Sequence, residues 1–230
     1  MIPVLRILIA VLFGGIAAWF IRYRYDGSET SVWFLAWLVA TAVSYALRVV
    51  AYWVGDMTIS RNFCIASFTV LAASLFLIFG FARSFSVDAD YTLLFWSLPL
   101  MFVMALVIMN PEALFYRDGG FWVLKEFNAT VTIFVAIYGL YALLGLYYAG
   151  MLYRTLRSHD QKRELHNFRY ILGGLLVVFI SAAVGGWLKA SVSSGMPVLE
   201  IGNLIGALLI MRGVTGPIEG LWLRRAQGEL

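Results

Sequence analysis

The chain has 230 residues, 62% of them hydrophobic and only 13% charged, about half the charged share of a soluble domain. That composition excludes a water-soluble globular domain. The net charge of +4 does not point to nucleic acid either, because the basic residues gather in loops of one predicted side, as membrane topology requires. A single cysteine, Cys64, excludes an intramolecular disulfide and a thiolate metal cluster, and neither a metal nor a cofactor is expected.

In chain order, the first predicted span covers residues 4–21 and is read as a membrane helix rather than a cleaved leader. It ends at RYRYDGSET, where Arg22 and Arg24 mark a cytoplasmic edge. The second, 32–54, is free of charge until Arg48, which lies within its apolar length. The polar turn GDMTISRN leads to a third span, 63–82, that returns to Arg83. A fourth, 91–109, carries Pro99 in its middle, where a kink is expected. The connection NPEALFYRDGGFWVLKEFN then places Phe115, Tyr116, Phe121 and Trp122 where amphipathic rings favour the interface.

The fifth span, 129–152, reads ATVTIFVAIYGLYALLGLYYAGML, long enough at about 1.5 Å per residue to cross a hydrocarbon core about 30 Å thick. The loop 154–169, RTLRSHDQKRELHNFR, follows directly. Its five cations, Arg154, Arg157, Lys162, Arg163 and Arg169, resist translocation and mark a cytoplasmic segment. The sixth span covers 170–188 and ends beside Lys189; the seventh covers 198–211, carries Glu200, and is followed by Arg212, Arg224 and Arg225. With this assignment eleven Lys or Arg lie inside and five (Arg48, Arg61, Arg117, Lys125, Lys189) outside, Arg6 falling near the outer start of the first span. The predicted fold is therefore all-α: one domain over 1–230, a polytopic seven-transmembrane helix bundle with its N-terminus outside and its C-terminus cytoplasmic, in a prokaryotic inner or plasma membrane. Continuously apolar runs without alternation argue against a β-barrel.

Small residues recur four apart at Gly14/Ala18, Gly145/Ala149, Ala182/Gly186 and Gly202/Gly206. Such pairs let helix backbones approach where lipid supplies no hydrophobic driving force. They predict packing within the bundle; the sharper alternative is a homodimer contact through Gly202 and Gly206.

Candidate binding residues lie towards the outer ends of the helices. Tyr45, Arg48 and Tyr52 are spaced by three and four, so they share a helix face, and an arginine flanked by phenols suits an anionic or aromatic ligand. The competing reading is an arginine whose head reaches the nearby surface. Glu200 and Asn203 share a face of the last span, with Lys189 and Glu126 at similar depth. They outline either an outward pocket lined by the second, fifth, sixth and seventh spans, with Arg48 opposite Glu200, or one ion pair that locks helix ends. Enzyme signatures are missing: His159 and His166 fit no metal-ligand spacing, and there is no G-x-S-x-G, P-loop or C-x-x-C. No carboxylate sits at mid-membrane to relay protons or cations.

From about residue 90 to 212 the layout resembles the seven-helix N-terminal sensory region of some bacterial and archaeal histidine kinases. The likeness rests on NPEALFY (Asn110 to Tyr116) after the fourth span, a fifth span ending in basic residues, and LGG (Leu172 to Gly174) opening the sixth. It implies helices that sense a signal outside or within the membrane and pass it to a cytoplasmic output. Only eighteen residues follow Arg212, so the output is expected from a separate partner docking on Arg154, Arg157, Lys162 and Arg163 or on the tail. A receptor-like or partner-binding protein is the leading expectation, against a small transporter or channel and a structural subunit or assembly factor of a larger membrane complex.

Overall fold

A computed structural model describes residues 2–25, 27–84, 92–118, 121–124, 129–158, 162–191 and 198–215. The helices α1 (Ile2–Tyr23), α2 (Glu29–Trp53), α3 (Met57–Arg83) and α4 (Thr92–Met109) precede a short helix α5 (Pro111–Leu114) and the strands β1 (Phe115–Asp118) and β2 (Phe121–Leu124). The long helices α6 (Ala129–Ser158), α7 (Lys162–Ser191) and α8 (Val198–Thr215) complete the order. Each of the seven predicted spans falls on one of the seven long helices. Three segments, Pro3–Tyr23, Ser31–Trp53 and Met57–Phe81, are long and apolar enough to cross a membrane, and Ser97–Met109 and Leu165–Ser181 are shorter apolar stretches.

Local chemistry accounts for the helix ends. Gly27 turns with φ 76°, a conformation open to glycine without a Cβ penalty. Ser28 then caps α2 by accepting the Ser31 N–H, as Asp56 caps α3 by accepting that of Ile59. This cap starts α3 six residues before the predicted span, so most of the expected polar turn is helix. The basic loop expected over 154–169 is corrected in the same way, because α6 runs to Ser158 and α7 starts at Lys162, leaving 159–161 outside the described residues. Hydropathy marks where a helix leaves the apolar layer, and charged residues do not stop a helix there. Through Pro99 α4 continues as helix.

An all-α fold needs one amendment. β1 and β2 pair antiparallel from Phe115↔Leu124 to Asp118↔Phe121, in the segment expected to lie at the interface. Aromatic and β-branched residues there suit a strand pair.

Six long helices form a ring in the order α1, α2, α3, α6, α7, α8, closed by contact of α8 with α1; α4 flanks α3 and α6. Its core is aromatic: Phe13 meets Trp37 edge-on at 5.6 Å, and Phe34 lies 5.1 Å from Phe20 and 4.9 Å from Phe81. Outward-facing side chains are also large and apolar, including Val4, Val11, Met101, Phe102, Leu143 and Ile180. Such a surface is unlike that of a soluble protein and suits contact with lipid.

The tightest seam joins α7 to α8. A Cβ at Gly174 would lie 2.6 Å from the Gly206 carbonyl oxygen, one at Gly206 would lie 2.8 Å from that of Gly174, and Gly202 sits directly on Ser181. Here two backbones touch, as small residues permit. α7 of the same chain therefore covers the face bearing Gly202 and Gly206, the intramolecular role expected of them, and leaves no space for a second copy there. Gly14 and Gly145 have open space instead, while the surroundings of Ala182 and Gly186 lie outside what the structure describes. Replacing Gly174 by Val should therefore destabilise the bundle by about 1–3 kcal/mol, whereas Gly150→Ala, with nothing within 4 Å of the added Cβ, should be neutral or slightly stabilising. Thermal unfolding of both variants in one detergent checks the contrast.

Candidate functional site

α1, α3 and α8 begin, and α2 ends, at one end of the ring. Within three turns of those termini four helices bring polar side chains into contact. Arg6 donates from Nη2 and Nε to Glu200 Oε1 at 3.1 and 3.3 Å, with 7% and 1% of the two residues exposed. Glu200 stands in the first turn of α8, where the helix dipole also favours a carboxylate. A second tie joins α8 to α2, since Asn203 Nδ2 donates to the Tyr45 hydroxyl in a short hydrogen bond.

Beside it α2 and α3 are stitched by serines. Ser44 donates to the Ser67 carbonyl and Ser67 to the Ser44 carbonyl, each at 3.0 Å. The Ser67 hydroxyl, its proton committed, accepts Arg48 Nε–H at 3.0 Å. The Arg48 guanidinium carbon lies 4.5 Å from the centre of the Phe68 ring and 5.4 Å from that of Tyr45, cation–π contacts that strengthen when desolvated. Tyr45 links the two halves, because its hydroxyl accepts from Asn203 and its ring lies beside Arg48, so these groups form one unit. The strand pair stands against it: Phe115 stacks on Phe68 at 4.4 Å, and the Trp122 indole donates to Ser60 Oγ at 2.9 Å.

Two atoms of the unit are left over. Arg48 Nη2 and Asn203 Oδ1 are buried without a hydrogen-bond partner among the described residues, in side chains belonging to residues only 7% and 8% exposed. Buried polar groups are normally paired, and an orphan costs about 1–3 kcal/mol, more when charged.

Of the six expected binding residues, the structure joins Tyr45, Arg48, Glu200 and Asn203. Tyr52, half-buried one turn further along α2, packs edge-on to Trp53 at 5.5 Å. The Lys189 side chain and all of Glu126 lie outside the described residues. One expectation is corrected and another widened. Glu200 pairs with Arg6, not Arg48, and α1 and α3 contribute to the cluster beside α2 and α8 among the described residues. Arg6 carried the same signal as Arg48, a lone arginine in an apolar run, but its nearness to the terminus masked it. Ser44 and Ser67 carried no signal, because a serine in a span is unremarkable until its neighbour is known.

At the opposite end Arg154 and Arg157 close α6 and Lys162 opens α7, all three exposed; the Arg163 side chain lies outside the described residues. Arg169 stacks on Tyr153 and Arg212 on Tyr170.

Fold and surface together define an α-helical integral membrane protein with a buried charged cluster at one end. No known family model, curated protein or solved structure matches the chain.

Because an unpaired buried charge costs more than a pair contributes, Glu200→Ala should lower stability by about 3–5 kcal/mol. The double variant Arg6→Met, Glu200→Leu should recover most of that loss. A double-mutant cycle by thermal unfolding in detergent measures both.

Proposed function

We propose that the chain is a receptor-like seven-helix membrane protein that binds a small molecule or reads a membrane signal at the Arg48–Tyr45–Asn203 cluster and acts through a separate protein. One observation carries this reading. A donor of Arg48 and the acceptor of Asn203 are buried without a hydrogen-bond partner among the described residues. A purely structural polar network gains nothing from such orphans, while a binding site needs them until its ligand arrives.

In this proposal all seven long helices cross a prokaryotic plasma membrane. The cluster faces outward, and the basic end with Arg154, Arg157, Lys162 and Arg163 faces the cytoplasm and holds the partner. Excess Lys and Arg at that end supports the orientation, and the resemblance to histidine-kinase sensory regions supports the signalling role. Glu200 and Arg6 brace the site rather than contact the ligand.

Orientation is open to a direct check. A cysteine placed at exposed Ser158 in a Cys64→Ala background should react with a membrane-impermeant maleimide in inside-out vesicles and stay unlabelled in right-side-out ones. The reverse pattern would invert the topology. For the function itself, mild solubilisation followed by mass spectrometry should recover a protein in stoichiometric amount, lost when Arg154, Arg157 and Lys162 are changed together to Glu. Recovery of no protein, with solute flux in reconstituted vesicles, would replace the receptor reading by transport; a partner whose retention ignores those charges and Arg48 would favour a structural subunit.

A further inference from the structure

The ligand class follows from the charge and donor balance of the cluster, taken with the proposed reading that a ligand binds there. Among the described residues the unit contains two guanidinium groups, Arg6 and Arg48, and one carboxylate, Glu200. Glu200 Oε1 accepts from Arg6 Nη2 and Nε. Arg48 meets instead a hydroxyl and two aromatic faces, none of which carries a negative charge. Among the described residues no carboxylate meets Arg48, and its Nη2 is left without an acceptor.

Arginine offers donors only, so the group that completes Arg48 must accept hydrogen bonds, which excludes an aromatic hydrocarbon or a cation. An ionised acceptor also gives the shorter, stronger charge-assisted bond. The free atom of the Asn203 amide adds a second contact. It is an acceptor as placed, answered by a hydroxyl of the ligand or by a bridging water; with the amide turned over it becomes a further donor to the same anion. The Tyr45 ring lies beside Arg48 while its hydroxyl holds Asn203, so both leftover groups are fixed to one phenol.

We infer that the cluster binds an oxyanion, a carboxylate or a phosphate group, with Arg48 as its charge partner, Asn203 as its second polar contact, and Ser67 as the positioning residue that aims Arg48. That chemistry is shared by a free anion and by the headgroup of an anionic lipid.

The test uses the full chain in nanodiscs. In discs of neutral phosphatidylcholine, equilibrium dialysis with radiolabelled acetate and with radiolabelled inorganic phosphate should show saturable binding of at least one. Arg48→Gln should weaken it about tenfold or more, and Arg48→Lys should retain part of it. If the oxyanion is a headgroup, neither solute binds, and native mass spectrometry from discs that mix phosphatidylglycerol with phosphatidylcholine instead finds the anionic lipid retained stoichiometrically, with loss in Arg48→Gln. The gentler Ser67→Ala variant, which removes only the acceptor of Nε–H, should weaken binding several-fold and serves if Arg48→Gln does not fold. Absence of both solute binding and lipid retention in the wild-type chain overturns the inference, as does binding that Arg48→Gln, or Ser67→Ala in its place, leaves unchanged. Loss of the protein partner on Arg48→Gln without any oxyanion binding would remove the ligand class yet keep the receptor reading; oxyanion binding without a protein partner would do the opposite.

Discussion

A charge alone in an apolar bundle is costly, and the pairing of Arg6 with Glu200 meets that constraint between the first and last long helices. The two residues lie 194 positions apart, on the first and last long helices. Their contact closes the ring of six helices. Both are buried in the bundle, so separating α1 from α8 would leave two charges without each other. The bond from Asn203 to Tyr45 adds a second tie from α8 to α2 one helical turn away.

Below this polar end α8 is held by different physics. Glycines 202 and 206 bring its backbone onto α7, and interlocking aromatic rings fill the interior shared by α1, α2 and α3. Packing of this sort tolerates little change in shape, while the polar end rests on charge balance. A group binding at Arg48 therefore acts where the bundle is most sensitive to charge, at the junction of α1, α2, α3 and α8. Ligand occupancy can bias such a junction only through a difference in affinity between two helix arrangements. In the proposed reading an anion arriving at Arg48 supplies that difference.

Much of the candidate site was readable in advance. Tyr45 and Arg48 at spacing three, and Glu200 and Asn203 at the same spacing, announce two polar helix faces, because helical periodicity alone decides which residues share a side. Which face meets which was not readable. Arg48 and Glu200 look like natural partners by sign and depth, yet Arg6 takes the carboxylate, since α1 and not α2 presents its arginine to the first turn of α8. The stitch of Ser44 to Ser67 is equally invisible, because its value lies in two helices being in contact at that level. The strand pair was missed for a local reason: its aromatic residues suit both an interface and a strand.

By itself the sequence determined where the chain is apolar, where its positive charges gather, and which polar residues stand on a common helix face. These depend on composition and on the pitch of one helix, both local quantities. The tertiary structure alone decided the neighbours: the ring order, the occupation of the Gly202 and Gly206 face by α7, the pairing of Arg6 with Glu200, and the isolation of Arg48. Neighbour choice depends on distances between residues remote in the chain, and in a layer where lipid is as apolar as the helices, hydropathy carries no record of them.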